Sequence, residues 1–220
     1  MIPSKQIVIE AGNRVAPFVH RTPVLTSRLL NEMAGAEVFF KCENLQKMGA
    51  FKMRGAINAI QQLSEAQKKA GVVTHSSGNF GQALALAAKN LGVNAYIVMP
   101  SSAPAVKIEA VKSYGGLVTI TEPTLEAREK SAANIVAEKG AVFLHPSNDL
   151  NVIVGQGTAA LELLQDQPGL EYVMSPVGGG GLIAGTALAA HYLGDNCRVI
   201  GGEPMEVDDA YRAFKSGKIE

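Results

Sequence analysis

Three short segments of this 220-residue chain join chemically capable residues to a backbone that can aim them. In Ser175–Gly185 (SPVGGGGLIAG), four consecutive glycines end a strand-like run and open a helix-like one. Each would cost about 1 kcal/mol relative to alanine inside a helix, so a run of them needs a reason. Bare N–H groups of Gly178, Gly179, Gly180 and Gly181, with the positive end of a helix from Leu182, converge on one spot: an anion cradle suited to phosphate. The segment has neither a Walker ending nor GxGxxG spacing, and a tight ligand-free turn is the plain alternative. In His75–Gln82 (HSSGNFGQ), two hydroxyls, a glycine and an asparagine precede an Ala-rich helix. They suit an N-cap, and Ser76, Ser77 and Asn79 equally suit the holding of a carboxylate. In Asn44–Ala56 (NLQKMGAFKMRGA), Lys52 lies between Phe51 and Met53 where a helix begins. Apolar neighbours and a helix N-terminus disfavour its ammonium form and yield the free amine that Schiff-base chemistry needs. A solvated surface lysine is the alternative there, and Arg54 and Lys47 read as ordinary surface or structural cations.

Positioning such groups requires a regular frame, and the hydrophobic pattern supplies one. Strands are predicted at Glu37–Glu43, Val72–Ser76, Ala95–Pro100, Leu117–Glu122, Val142–His145, Tyr172–Val177 and Arg198–Glu203. Helices are predicted at Met53–Leu63, Phe80–Leu91, Ala105–Tyr114, Thr124–Lys139, Val152–Asp166, Leu182–Tyr192 and Asp208–Lys215. Continuous apolar strands alternating with helices imply an α/β fold with mostly parallel sheets covered on both faces. The rhythm between Gly71 and Ser147 suits a unit of its own, giving two three-layer lobes that face each other across a cleft.

Composition excludes several classes of function. Lys plus Arg (20) equal Asp plus Glu (20), and no block of like charge offers nucleic acid or an anionic membrane a grip. The N-terminus lacks the apolar core of a signal peptide, and no stretch reaches transmembrane length. Cys42 and Cys197 read as reduced thiols of a cytoplasmic protein.

Taken together and in order, these segments resemble the fold type II pyridoxal phosphate enzymes of the serine/threonine dehydratase family, above all the serine racemase branch. The resemblance runs through HRTPVLTS (20–27), FFKCENLQKMGAFKMRGA (39–56), THSSGNFGQALALAAK (74–89), HPSNDLNVIVGQGT (145–158), SPVGGGGLIAG (175–185) and GGEPMEVDDAY (201–211). It implies a tryptophan synthase β-like fold, with a large cofactor lobe over 1–65 and 149–220, truncated at its end, and a small lobe over 66–148. Lys52 then matches the lysine that forms the Schiff base with pyridoxal 5'-phosphate. Phe51 matches a residue beside the cofactor ring, and Asn79 the partner of its ring hydroxyl. Gly178–Gly181 and Leu182 match the phosphate loop. Ser77 matches a hydroxyl on the opposite face from the lysine. Ser76, Ser77, Asn79 and Arg128 match the substrate-carboxylate pocket. Glu203, the Val207 carbonyl and Asp209 match a Mg²⁺ or Ca²⁺ site; without the resemblance, EPMEVDDA reads as the acidic first turn of a helix.

The implied activity is dehydration with deamination, racemisation, or both, of serine, threonine or a similar β-hydroxy amino acid, by a cytoplasmic homodimer. Departures from the family pattern stand at Phe80 (commonly His), Ala50 (a hydroxyl residue), Ser147 (Asn in the racemase), and Met48 and Arg28 around the nucleotide-effector site. Family members also continue past Glu220 to a Ser or Cys facing the pyridine nitrogen. A cofactor-binding remnant without turnover is therefore the competing expectation. A β-replacement enzyme such as cysteine synthase fits less well, because the text here is KMRGA and GGGGL.

Overall fold

In the computed structural model, residues 2–219 are described. The chain opens with α1 (Lys5–Val15), which buries Val8, Ala11 and Val15, a three-, four- and seven-residue spacing that marks one helical face. β1 (Val24–Thr26) pairs antiparallel with β2 (Phe39–Lys41), and α2 (Arg28–Ala34) between them is capped by the Ser27 side chain. Two 3-10 turns, Glu43–Leu45 and Lys47–Gly49, lead into α3 (Lys52–Gln61). The short α4 (Glu65–Ala70) starts with a Ser64–Gln67 capping box. Then strands and helices alternate: β3 (Val72–His75), α5 (Asn79–Leu91), β4 (Ala95–Pro100), α6 (Ala105–Ser113), β5 (Leu117–Thr121), α7 (Leu125–Lys139), β6 (Val142–Phe143) and α8 (Leu150–Asp166). The last elements are β7 (Tyr172–Pro176), α9 (Gly181–Leu193), β8 (Arg198–Gly202) and α10 (Asp209–Ser216).

β5, β4, β3 and β6, in that order, form one wholly parallel sheet, and β7 and β8 a second parallel pair. The helix between each two strands returns the chain to the same end, which makes parallel pairing the natural outcome. Val72 and Ile97 join the α5 side of the first sheet, whereas Val73 and Val98 pack with Ala132 of α7 on the other. Both faces are therefore covered, which is why these strands read as continuous apolar runs. In the second sheet Val173 and Val199 pack against α8 and α9, while Tyr172, Met174 and Ile200 on the opposite face stay exposed.

Close helix packing sets the frame of the site. A side chain on Gly155 of α8 would meet the Arg54 carbonyl at 2.7 Å and the Gly55 Cα at 2.8 Å, both on α3. Two residues on, Gly157 and Gly185 bring α8 and α9 together just as tightly. The starts of α3 and α9 are thus drawn to the start of α8.

The sequence pattern does not predict α1, β1, α2 and α4; β1, α2 and α4 are short elements with little periodicity, whereas α1, with 11 residues, buries only Val8, Ala11 and Val15. The strand predicted over Glu37–Glu43 contracts to Phe39–Lys41, because Glu43 turns into the 3-10 segment and faces Arg54. The strand predicted over Val142–His145 ends at Phe143, because the His145 ring accepts backbone N–H groups from the turn that follows. The α8 helix starts at Leu150, ahead of the predicted Val152, where the Asp149 side chain caps it.

Candidate active site

Lys52 is the first residue of α3, and its side chain is half-buried rather than solvated. Its amine lies 5.1 Å from the Phe51 ring centroid and 5.8 Å from that of Phe80. It donates to the Pro146 carbonyl at 2.8 Å, across 94 residues of sequence. Burial alone lowers its pKa from 10.5 to about 8, since no carboxylate is at hand to hold the proton. At pH 7.5 about one amine in four is then neutral, against about one in a thousand for an ordinary lysine. Phe80, one of the departures from the family pattern, is almost fully buried and contributes to this: an apolar ring stands where a polar one would partly solvate the ammonium.

The glycine segment forms the facing wall. Val177 donates to the Gly202 carbonyl, and the chain turns through Gly178–Gly180 into α9. Gly180 has φ +80°, open only to residues without a Cβ at low cost, and is the N-cap of the helix. Nothing within 4 Å would meet a side chain at Gly178 or Gly180, so their backbone faces open space. Gly179 and Gly181 instead rest on Ser147: a Cβ on Gly179 would collide with the Ser147 hydroxyl, and one on Gly181 would lie 3.0 Å from the Ser147 Cα. Gln156, fully buried, donates Nε2 to the Pro146 carbonyl at 3.3 Å, while its Oε1 has no partner and would sit 2.9 Å from a Cβ on Gly181. A partly desolvated amine and a bare helix N-terminus thus flank one short loop, residues 146–148. These residues fit a cofactor that carries an aldehyde and a phosphate.

Behind Lys52, α3 is anchored by Arg54, which is completely buried. Its guanidinium makes paired contacts of 2.8 Å to both oxygens of Glu43, and reaches Glu162 at 2.8 and 2.9 Å. Lys41 closes the network on Glu162 at 2.7 Å, and the Thr22 hydroxyl donates to Glu43 at 2.6 Å. Burial opposes the charge on Arg54, but the hydrogen bonds and charges of Glu43 and Glu162 outweigh it and raise its pKa. Glu162 is likewise held ionised below its ordinary value: burial opposes this, and Arg54 and then Lys41 prevail. Of the two sequence readings of Arg54, the structural cation is correct and the surface cation is not. Glu43, Glu162 and Lys41 were missed, for a charge destined for the core carries no local mark.

The His75–Gln82 segment supplies the third side. Ser76 extends the β3–β4 ladder through its N–H, and its hydroxyl accepts from the Gly78 N–H at 3.3 Å, an ordinary turn contact. Ser77 is half-buried and Asn79 exposed at the first turn of α5. Phe80, the next residue, brings this helix start beside the Lys52 amine. Arg128 on α7 donates to the Thr124 carbonyl of its own helix, and its charge, after burial, is the main cause of a lowered pKa at His75. Glu203 accepts from the backbone N–H groups of Ala210 at 3.3 Å and Tyr211 at 2.6 Å, and so caps α10 with both oxygens. Among the described residues no group of three or more His, Cys, Asp or Glu could hold a metal ion. Glu203 thus caps α10, with Val207 ending the 3-10 turn Met205–Val207 and Asp209 opening the helix beside it. No helix among the described residues is long and apolar enough to cross a membrane.

A family described as "Pyridoxal-phosphate dependent enzyme" matches residues 15–220 of the chain. Serine racemase of Dictyostelium discoideum is 49% identical over 96% of this chain and 65% of its own length. Beta-hydroxyaspartate dehydratase of Paracoccus denitrificans is also 49% identical, over 99% of this chain and 69% of its own. The crystal structure of the Dictyostelium discoideum racemase superposes with a TM-score of 0.97, covering 100% of this chain and 72% of that one. The chain spans about two thirds of the length of these curated relatives.

Proposed function

The chain belongs to the family of pyridoxal-phosphate dependent enzymes, and from that premise we propose that it acts on serine, threonine or a hydroxyaspartate. The reaction is removal of the α-proton, leading to a keto acid and ammonia, to the mirror-image amino acid, or to both. Lys52 would hold pyridoxal 5'-phosphate covalently, the Gly178–Gly181 and Leu182 backbone would take its phosphate, and Phe51 and Asn79 would contact its ring. Residues 66–148 form the small lobe over this site, and 1–65 with 149–220 the cofactor lobe. The observation that carries the reading is the Lys52 amine, half-buried beside two aromatic rings, where desolvation lowers its pKa to about 8.

When bound, the cofactor supplies a conjugated sink for the electrons left at the α-carbon. Lys52, freed as an amine once the substrate's amino group takes its place, accepts the proton on its own face. Ser77, in the turn before α5, returns a proton on the other face when racemisation occurs. Ser76, Ser77, Asn79 and Arg128 orient the substrate carboxylate. Loss of the β-hydroxyl as water, in place of proton return, releases an enamine that water hydrolyses to the keto acid and ammonia.

A second reading, cofactor binding without turnover, is favoured by the exposed apolar face of β7–β8 at Tyr172, Met174 and Ile200. Loading the purified chain with pyridoxal phosphate, reducing it with borohydride and mapping the peptides tests the first step. The label is expected on Lys52 and absent from Lys52→Ala; a label elsewhere overturns the proposal. Keto acid and enantiomer are then assayed with serine, threonine and hydroxyaspartate. A labelled chain that yields neither product from any of them establishes the second reading.

A further inference from the structure

We propose that His145 is a positioning residue: its neutral ring holds residues 146–148 in the conformation that serves both Lys52 and the glycine loop, and acid releases both together. The proposal rests on Lys52 as the cofactor lysine and adds the element that aims it. The His145 Nδ1 accepts two backbone N–H groups, from Ser147 at 3.1 Å and Asn148 at 2.8 Å. A nitrogen that accepts carries no proton, so the ring is neutral with its hydrogen on Nε2. Protonation at Nδ1 would turn both acceptor contacts into donor–donor clashes.

The pinned segment meets the site through Pro146 and Ser147 and leads directly into α8. The Pro146 carbonyl takes Lys52 at 2.8 Å and Gln156 at 3.3 Å. Ser147 is the surface on which Gly179 and Gly181 rest. Asn148 leads into Asp149, whose side chain caps α8 through Val152 at 3.0 Å. One ring nitrogen therefore stands where the starts of α3, α8 and α9 meet. The ring is fixed edge-on to His75 and Phe143, each 6.3 Å away between centroids.

The charged groups acting on the ring come from four elements: Asp149 at the start of α8, Lys52 on α3, Glu129 on α7 and His75 at the end of β3. Burial is the largest influence on His145, and with Lys52 it outweighs Asp149 and Glu129, so the pKa lies below the ordinary 6.5. A lowered value means that folding favours the neutral ring. The hold on the loop is therefore complete above the ordinary histidine value and is lost as pH falls through the lowered one.

The test uses the cofactor-free 220-residue chain, with amide-exchange protection of Ser147 and Asn148 and the affinity for pyridoxal phosphate both followed across the acid range. In the unmutated protein both quantities are expected to drop about tenfold together, the scale of losing two backbone hydrogen bonds. His145→Asn keeps an acceptor near the Nδ1 position and does not titrate. It is expected to match the unmutated protein at neutral pH and to stay protected in acid. His145→Gln displaces the acceptor and is expected to lose about tenfold in both readouts at neutral pH. The proposal is overturned if His145→Asn follows the same acid limb as the unmutated chain, or if His145→Gln changes neither quantity. Lys52→Ala separates this from the functional reading: unchanged cofactor affinity in that variant removes Lys52 from its role, while amide protection still reports on His145.

Discussion

Two cations two residues apart on α3 meet opposite fates. Arg54 is fully buried and wrapped by Glu43 and Glu162, so its charge is fixed. Lys52 is half-buried against two aromatic rings with only the Pro146 carbonyl to receive its N–H, so its charge is weakened. Desolvation penalises both; what differs is whether a carboxylate offsets it. A paired buried cation serves the fold, and an unpaired one becomes a reactive amine. The helix therefore carries its anchor and its amine about half a turn apart, and the rigidity of the first sets the aim of the second.

This contrast can be broken from either side. Arg54→Met leaves Glu43 and Glu162 buried without their main partner and is expected to cost about 3–5 kcal/mol in a denaturant titration, enough to threaten the fold. Lys52→Met should do the reverse, abolishing the covalent cofactor label while raising the thermal midpoint by about 2–4 °C, since a poorly solvated charge is removed. Phe51→Glu places a carboxylate beside the amine. Competitive acetylation of Lys52 against pH should then move its midpoint up from about 8 by roughly one to two units. In the unmutated chain, labelling is expected to rise as pH climbs through that value, because only the neutral amine reacts. The smallest effect belongs to Thr22→Val, which removes one hydroxyl donor from Glu43 and should cost about 1 kcal/mol by the same titration, with the acetylation midpoint unmoved. A shift in that midpoint would mean that the anchor and the reagent are electrostatically coupled.

How much of this was legible beforehand depended on how local each signal is. The α/β rhythm of 72–166 was readable because βαβ units write their periods into contiguous residues, and the helices there start within two residues of where the pattern puts them. The glycine run announced itself by its local cost. Lys52, taken alone, did not: its neighbours Phe51 and Met53 were suggestive, but Phe80 and Pro146 complete its burial from other parts of the chain. The short elements α2, β1 and α4 offer too little length for a period, and α1 shows only a narrow apolar face of Val8, Ala11 and Val15. The EPMEVDDA turn reads from sequence as an acidic helix start, and the Glu203 cap is what the fold makes of it.

By itself, then, the sequence determined the alternation of strands and helices, the glycine run at 178–181 before a helix and the residues eligible to react, because each of these is a property of neighbours along the chain. Tertiary structure alone decided that Arg54 would be neutralised by carboxylates from β2's end and from α8, and that the glycines of α3, α8 and α9 would touch. It also decided that His145 would pin the loop facing Lys52. Those outcomes turn on desolvation and on contacts across about a hundred residues, and a charge or an amine acquires its chemistry only from what the fold brings against it.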